Sequence, residues 1–518
     1  MVRLLRLLLF VLFSLSCAVV AHAVVTPHGL FCDNVVLQRD ASIPVWGIAA
    51  PGEKITVSLA TRHAKTVAGP DGAWMVHLRA LHAGGPYDLR IAGDNTVLIH
   101  GVLIGEVWLA SGQSNMEYGV GAVLNAQQEI AAADYPLIHV FTVPTVVADA
   151  PQTTVSGAWQ RCSPQTVGGF SGTAYFFARE LYAALHVPIG IIHSSVSGTL
   201  AEAWTSTEAL QRDPDLLPIV TRYQGQVAQY QQELRTYPDT LATWQAAVKK
   251  AQADGVTPPP QPKAPEDPSR SAYLHVSGLF NGKIAPLLPY RIRGIIWWQG
   301  EYNSGRGEQY RKLFPALIRD WRDRWGLGDL PFYFVQLQNL YIPQPSDAHY
   351  TELREAQLFT RLNVPNTGMV VACDFGDREN IHPPNKQEAG RRLARIALRR
   401  LYGQKLLIDN GPLYQGYQVE GAKIRVAFTE TAGGLLVKNS PKLASFEIAG
   451  ADRHFVAAEA AIDGKTVVVW SDAVSYPVAV RYGWTNFDDP LCTLYNTGNL
   501  PASPFRTDDW PIASTGLR

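Results

Sequence analysis

A serine stands at the end of an apolar run in Gly-Glu-Val-Trp-Leu-Ala-Ser-Gly-Gln-Ser-Asn-Met, residues 105–116, where Ser114 occupies a polar turn and can face a substrate. A hydroxyl is a weak nucleophile until a base takes its proton. The candidate base lies far downstream in Glu-Asn-Ile-His-Pro-Pro-Asn-Lys, residues 379–386, again just after an apolar run at 367–373. Ser114 and His382 thus come from two strand ends, an arrangement suited to acyl transfer. Met116 stands where a Gly-x-Ser-x-Gly nucleophile elbow requires its second glycine, which argues against an α/β-hydrolase. Carboxylates also lie within five residues before His382 rather than on a separate earlier strand. Alone, a serine between strand and helix is more often a cap.

Strands must deliver these groups. From about 104 to 402, short apolar runs at 107–110, 137–143, 189–193, 292–298, 332–337 and 368–373 alternate with helical stretches. One helix is expected at 175–185 behind Ser171 as cap, and another carries the stripe Tyr310, Leu313, Phe314, Leu317, Ile318, Trp321 and Trp325. The alternation predicts a parallel sheet with helices on both faces. Ligands bind outside the carboxyl ends of such strands, and Ser114, Gly198, Gln299 and His382 all follow predicted strands. Residues 24–103 predict a small all-β module, with strands at 34–37, 43–46, 54–59, 74–78 and 87–91 between Gly, Pro, Asp and Asn turns. Residues 403–518 predict a second, with strands at 423–428, 434–437, 466–470 and 478–482. The central unit, 104–402, is interrupted at 205–276 by a glutamine-rich stretch, 223–252, and by Pro-Pro-Pro-Gln-Pro-Lys-Ala-Pro, 258–265. The former reads as a helical pair and the latter as a stiff extended connector. This insertion is either a lid or wall beside the site or a solvated excursion.

At 518 residues the chain exceeds one core, so two or three modules are expected. Lysine plus arginine number 45, as do aspartate plus glutamate, without long charged runs, which argues against nucleic acid or an anionic membrane as partner. Arg3 and Arg6 precede an apolar run ending at Val20, and Ala21 and Ala23 supply small residues for cleavage. Residues 1–23 therefore predict a signal peptide and a periplasmic or secreted protein; the run is shorter than the ~20 residues of a membrane span. Cys32, Cys162, Cys373 and Cys492 remain after cleavage, compatible with disulfides in an oxidising compartment or with four buried thiols. No two are close and no His-x-x-x-His pair occurs, so no metal site is expected, and acyl transfer by a serine calls for no organic cofactor.

Gly-Gln-Ser-Asn-Met at 112–116, Trp-Gln-Gly-Glu-Tyr-Asn at 298–303 and Ile-His-Pro-Pro-Asn-Lys at 381–386, in that order, resemble the sialate O-acetylesterase branch of the SGNH hydrolases, a group of carbohydrate esterases. The likeness extends over nearly the whole mature chain. It includes Val-Leu-Gln-Arg at 36–39, Leu-Arg-Glu-Ala-Gln at 353–357, Val-Arg-Tyr-Gly-Trp at 480–484 and Leu-Pro-Ala-Ser-Pro-Phe-Arg at 500–506. The resemblance implies an α/β SGNH-hydrolase three-layer sandwich with flanking all-β modules and a helical insertion. It implies a serine-dependent carbohydrate O-acetylesterase acting on an acetylated glycan. Ser114 would attack and His382 would take its proton, later giving it to the departing sugar hydroxyl. The oxyanion donors would be the Ser114 and Gly198 backbone N–H groups and the Gln299 side-chain amide. Gly198 lies in a block resembling the family's glycine block, with Ser197 where glycine is commoner. Glu379 has the three-residue spacing that SGNH enzymes usually fill with aspartate; Asp377 is the second choice, and a dyad with a backbone carbonyl orienting His382 would also serve.

Trp298, Trp204 and Tyr302, near the same strand ends, are candidates to stack on a sugar, with Glu301, Asn303 and Arg354 as polar supports. Trp297 is expected in the core, because adjacent strand residues point to opposite faces. Among substrates the resemblance suggests acetylated sialic acid or a plant polysaccharide such as xylan or xyloglucan. The latter is favoured because no arginine cluster for a sialic carboxylate is evident. Two other classes compete. A glycosidase would pair Glu301 with Asp374 or Asp377, leaving Ser114 and His382 unused. A noncatalytic glycan-binding protein would rest on the β modules.

Overall fold

The computed structural model describes residues 24–343, 346, 349–487 and 492–517, and the expected signal peptide lies outside them. The central strands are Thr96–Gly112 (β1), Tyr135–Thr142 (β2), Trp159–Cys162 (β3), Ile189–Ser195 (β4), Gly294–Trp298 (β5), Phe332–Val335 (β6) and Thr367–Val370 (β7). They lie in the order β3-β2-β4-β1-β5-β6-β7. From β2 to β7 every pairing is parallel. The edge strand β3 is antiparallel to β2. The sheet is therefore mixed, a correction to the wholly parallel one expected: β3 turns back beside its predecessor without a crossover, and such a return can pair only antiparallel.

Side-chain alternation explains the layers. Trp108, Ala110, Ile296, Trp298, Tyr333 and Val335 point into one core cluster with the helices Gly172–Leu185 (α1) and Lys386–Arg400 (α5). Leu109, Ile295, Trp297, Phe332 and Phe334 point into the other, with Gly307–Trp325 (α3) and Tyr350–Asn363 (α4). Each fully buried large side chain contributes about 1.5–3 kcal/mol, so strands apolar on both faces are held between helices on both sides. As expected, Ser171 caps α1, its side chain accepting from the Ala174 N–H.

β1 is far longer than its apolar core suggested. Its first half pairs with Gly84–Ala92 and Val36–Gln38, and its second half with β4 and β5. The N-terminal β strands and the central sheet thus share one continuous strand across residue 103. The 205–276 insertion also differs from expectation. A single 37-residue helix, Leu217–Ala253 (α2), replaces the helical pair. The proline-rich segment runs back along it, Tyr237 OH donating to Pro262 O at 3.3 Å and Trp244 Nε1 to Pro259 O at 2.9 Å. An extended proline-rich backbone leaves its carbonyls free for such donors, whereas a helix spends them internally.

Among the described residues the C-terminal region forms two four-stranded antiparallel sheets and a two-stranded one. It is fastened to the centre by a Cys373–Cys492 disulfide, Cα atoms 6.1 Å apart, while Cys32 and Cys162 are free thiols.

Candidate active site

β4, β1 and β5 lie side by side, and Gly112 is level with both Ser195 and Trp298. The chain fills the sheet on one side of β1 with β2–β4 and on the other with β5–β7, which makes this the switch where α/β sheets bind ligands. Gly112 has φ +138°, and a Cβ there would sit 2.2 Å from Trp298 O, so only glycine lets the strand pass. The Gln113 N–H then donates to Trp298 O at 2.9 Å. Ser114 opens the short helix Ser114–Glu117, retains 8% exposure, and its hydroxyl makes no hydrogen bond among the described residues.

His382 is brought to this turn by a loop from β7, three positions away in the sheet. Its half-buried ring stacks on Tyr118, centroids 5.4 Å apart at 19°. The loop is pinned one residue earlier, where Ile381 O accepts from Asn115 Nδ2 at 3.0 Å and from Gln338 Nε2 at 2.9 Å. Asn115 Nδ2 and Gln338 Nε2 also donate to Glu301 Oε1, at 2.6 and 3.3 Å. Burial, then the Lys386 charge, pushes the His382 imidazole below its ordinary value of 6.5. Neither proposed acid touches the ring. Asp377 Oδ1 accepts from the Glu379 and Asn380 backbone N–H groups at 2.9 and 3.0 Å, and Glu379 is exposed. Among the described residues no carboxylate is hydrogen-bonded to His382.

The backbone N–H groups of Ser114 and Gly198 have no partner among the described residues. Glu117 pins the loop that carries Gly198, its Oε2 accepting from the Ser197 N–H at 2.6 Å and from the Ser197 hydroxyl. Ser197, the residue in place of a glycine, is thereby tied to the nucleophile turn. Gln299 is a correction. It is wholly buried, and its Nε2 donates to Thr199 O at 3.1 Å and Asn303 Oδ1 at 2.7 Å while its Oε1 accepts from Tyr310 OH at 3.0 Å. Both amide protons are spent within the core, so none is left for an oxyanion.

Other expected contacts are also internal. Trp298 and Trp204 are fully buried, the first under Lys386 and the second against Trp297, which lies in the core as expected. Asn303 receives the Ala201 N–H and donates to Glu202. Arg354, fully buried, donates to the carbonyls of Leu337, Gln338, Thr485 and Asn486. Glu301 lies under Asn115, and burial raises its carboxyl. These residues brace the loops and do not face solvent, because strand-end side chains directed along a sheet face meet a covering helix. Asp374, a glycosidase candidate, is held by Arg392 at 2.9 and 2.7 Å and by Tyr495.

Tyr302 is different: it is 50% exposed and lies beside Gly198, whose added Cβ would be 3.5 Å from its ring. Tyr273, 40% exposed, meets it edge to face at 5.3 Å. Tyr273 belongs to the 205–276 insertion, which therefore reaches the strand-end surface. Next to it Arg222 and Arg306 both bind Glu202 Oε1, at 3.3 and 3.0 Å, and one buried nitrogen of each guanidinium is unpartnered among the described residues. Tyr118, Asn115, Gln338, Lys386, Tyr273, Arg222 and Arg306 escaped the sequence reading. Asn115 and Lys386 stood inside quoted motifs, one residue and four residues from the groups singled out there; the others had no local signal.

Among the described residues, no group of three or more His, Cys, Asp or Glu is placed to hold a metal ion. Residues 281–399 match the family model described as carbohydrate esterase, sialic acid-specific acetylesterase. The chain is 30% identical to the sialate O-acetylesterase of Rattus norvegicus over 92% of its own length and 93% of the relative's, and 29% identical to that of Homo sapiens over 91% and 90%. A crystal structure of a carbohydrate acetylesterase from Xanthomonas citri is 35% identical and superposes with a TM-score of 0.78, covering 94% of this chain and 100% of that one. Alignment over almost the full length, and not the strand-end blocks alone, places this chain in the sialate O-acetylesterase-like family of carbohydrate esterases, and it is an esterase.

Proposed function

We propose that Ser114 and His382 are the acyl-transfer pair of an O-acetylesterase for plant cell-wall oligosaccharides of the xyloglucan or xylan type, on a sheet read as the SGNH-hydrolase sandwich. The observation that carries the chemistry is a Ser114 hydroxyl without a hydrogen bond among the described residues, in the turn after level strand ends, whose closing residue Tyr118 stacks on the half-buried His382 imidazole. Neutral His382 removes the serine proton as Oγ attacks the acetyl carbonyl. The oxyanion is received by the Ser114 and Gly198 N–H groups. The imidazolium protonates the departing sugar oxygen, and water then repeats the sequence to release acetate and free Ser114. His382 is oriented by the tethered Ile381 carbonyl and by Tyr118 rather than by a carboxylate, so the pair works as a dyad. In apo sites such hydrogen bonds commonly close only with substrate.

The exposed Tyr302–Tyr273 pair supports a neutral sugar, whose C–H face suits an aromatic ring. One observation favours acetylated sialosides instead: Arg222 and Arg306 share a single carboxylate, leaving local positive charge. The disulfide supports an oxidising compartment, in keeping with a periplasmic or secreted enzyme. The test is acetate release from acetylated xyloglucan, xylan and sialosides, with Ser114→Ala as control. Turnover retained by that variant would sink the mechanism, and release from sialosides alone would exchange the substrates.

A further inference from the structure

Lys386 takes no part in the acyl transfer just derived, yet it is wholly buried at the first position of α5. Its ammonium donates to Asn115 Oδ1 at 2.5 Å and lies 4.4 Å from the Trp298 ring and 5.5 Å from the Tyr118 ring. These partners surround the nucleophile: Asn115 follows Ser114, Tyr118 closes its helix, and Trp298 O receives the Gln113 N–H. Two of them also hold the base, since Tyr118 carries the His382 ring and Asn115 holds Ile381 O. A buried ammonium costs several kcal/mol in desolvation unless well partnered, and an apolar side chain would fill this space more cheaply. Its position points to a role in the site.

We propose that Lys386 is a positioning residue for the acyl-transfer pair: through Asn115 and Tyr118 it keeps the Ser114 turn and the His382 ring in register. Its charge also disfavours the imidazolium, which helps to keep His382 a free base. The inference rests on the Ser114–His382 reading. The groups around His382 are Lys386 from α5, Tyr118 from the nucleophile turn, and Asp377 and Glu379 on its own loop, neither hydrogen-bonded to the ring. Glu301, from the turn after β5, faces Lys386. Burial lowers the ammonium to about 7, opposed by Glu301. Lys386 is therefore mostly charged below pH 7, across the range in which His382 titrates.

The test is the pH dependence of kcat and kcat/KM on 4-nitrophenyl acetate for wild type, Lys386→Met and Lys386→Arg. Lys386→Met is expected to lower kcat about tenfold or more with KM within about twofold, and to move the ascending limb to higher pH by about half a unit or more. A purely structural lysine would leave that limb in place. Lys386→Arg keeps the charge, so its limb stays put, while a planar guanidinium cannot reproduce all three contacts and kcat falls about threefold or more. A Met variant with unmoved limb and unchanged kcat overturns the proposal. If that variant does not fold, an Arg variant with unchanged kcat or a shifted limb overturns it instead. Ser114→Ala run in parallel separates the two readings: an active Ser114→Ala removes the nucleophile assignment, whereas an inactive one beside a wild-type-like Lys386→Met removes only the role of Lys386.

Discussion

Replacing Gln299 with methionine distinguishes a core amide from an oxyanion donor. The change keeps the length of the side chain and deletes its three hydrogen bonds, leaving Thr199 O, Asn303 Oδ1 and Tyr310 OH each short of a partner in a fully buried environment. Asn303 Oδ1 keeps the Ala201 N–H, so two groups are orphaned, and at about 1–3 kcal/mol each the loss is about 2–6 kcal/mol of folding stability. At about 2 °C per kcal/mol, for a unit larger than 150–250 residues, the melting midpoint falls by ~4–12 °C. The effect on chemistry is smaller. Thr199 adjoins Gly198, so a modest displacement of that N–H is expected and kcat falls less than about tenfold at a temperature where the variant is folded. A direct oxyanion donor behaves the other way: its loss costs about 10²–10³ in kcat, or ~2.7–4 kcal/mol of transition-state stabilisation. Thermal unfolding followed by circular dichroism, with steady-state hydrolysis of 4-nitrophenyl acetate on the same preparation, reads both quantities. A hundredfold loss of kcat with an unchanged midpoint would refute the burial argument and restore Gln299 to the site.

Glu379→Gln and Asp377→Asn should each leave kcat within about threefold, because neither carboxylate touches the imidazole; a loss above tenfold, about 1.4 kcal/mol, in either would assign the missing acid. His382 titrates below 6.5 in the fold, and it must be neutral to act, so kcat/KM should already be half-maximal below that pH; a midpoint above 7 would contradict the environment described. Cys492→Ser removes a crosslink closing 119 residues of sequence and should cost about 2–4 kcal/mol of stability, read as a lower denaturant midpoint in the oxidised protein. An unchanged midpoint there would mean that packing and hydrogen bonds such as Arg354–Thr485, Tyr495–Asp374 and Arg506–Glu355 hold the C-terminal sheets without it. Tyr273→Ala should raise KM for an acetylated oligosaccharide several-fold and leave 4-nitrophenyl acetate hydrolysis unaltered; equal effects on both substrates would exclude a sugar contact.

Local patterns made much of this fold legible. Strands apolar on both faces, the Ser171 cap and the amphipathic stripe from Tyr310 to Trp325 are written in neighbouring residues, and each appears where expected. Chain order also put Ser114, Gly198 and His382 at strand ends. Sequence could not say which polar groups were already committed. Gln299, Asn303 and Arg354 looked available, but their partners lie at Thr199, Glu202 and Thr485, reached only once the strands are assembled. The insertion was misread because a polar glutamine-rich run has no apolar face to mark where one helix ends and another begins. In α2 only Ile219, Val220 and Ala251 are buried, all near its ends. The Arg222–Arg306 pair was invisible for a similar reason: 84 residues separate arginines that meet over one carboxylate.

The unbroken strand from Thr96 to Gly112 has a consequence for how such a protein can be rearranged. The strand that begins in antiparallel partnership with Gly84–Ala92 ends two residues before the serine, so no linker exists at which the N-terminal region could be exchanged. A graft ending at residue 103 would have to reproduce pleat and register through the splice, since a slip of one residue turns each following side chain to the opposite face of the sheet. Trp108 and Leu109 would then trade cores, and Ser114 would arrive on the wrong side of its own site. Recombination of this architecture is thereby confined to its loops and to the protruding arm of α2, and the N-terminal strands must be inherited together with the nucleophile.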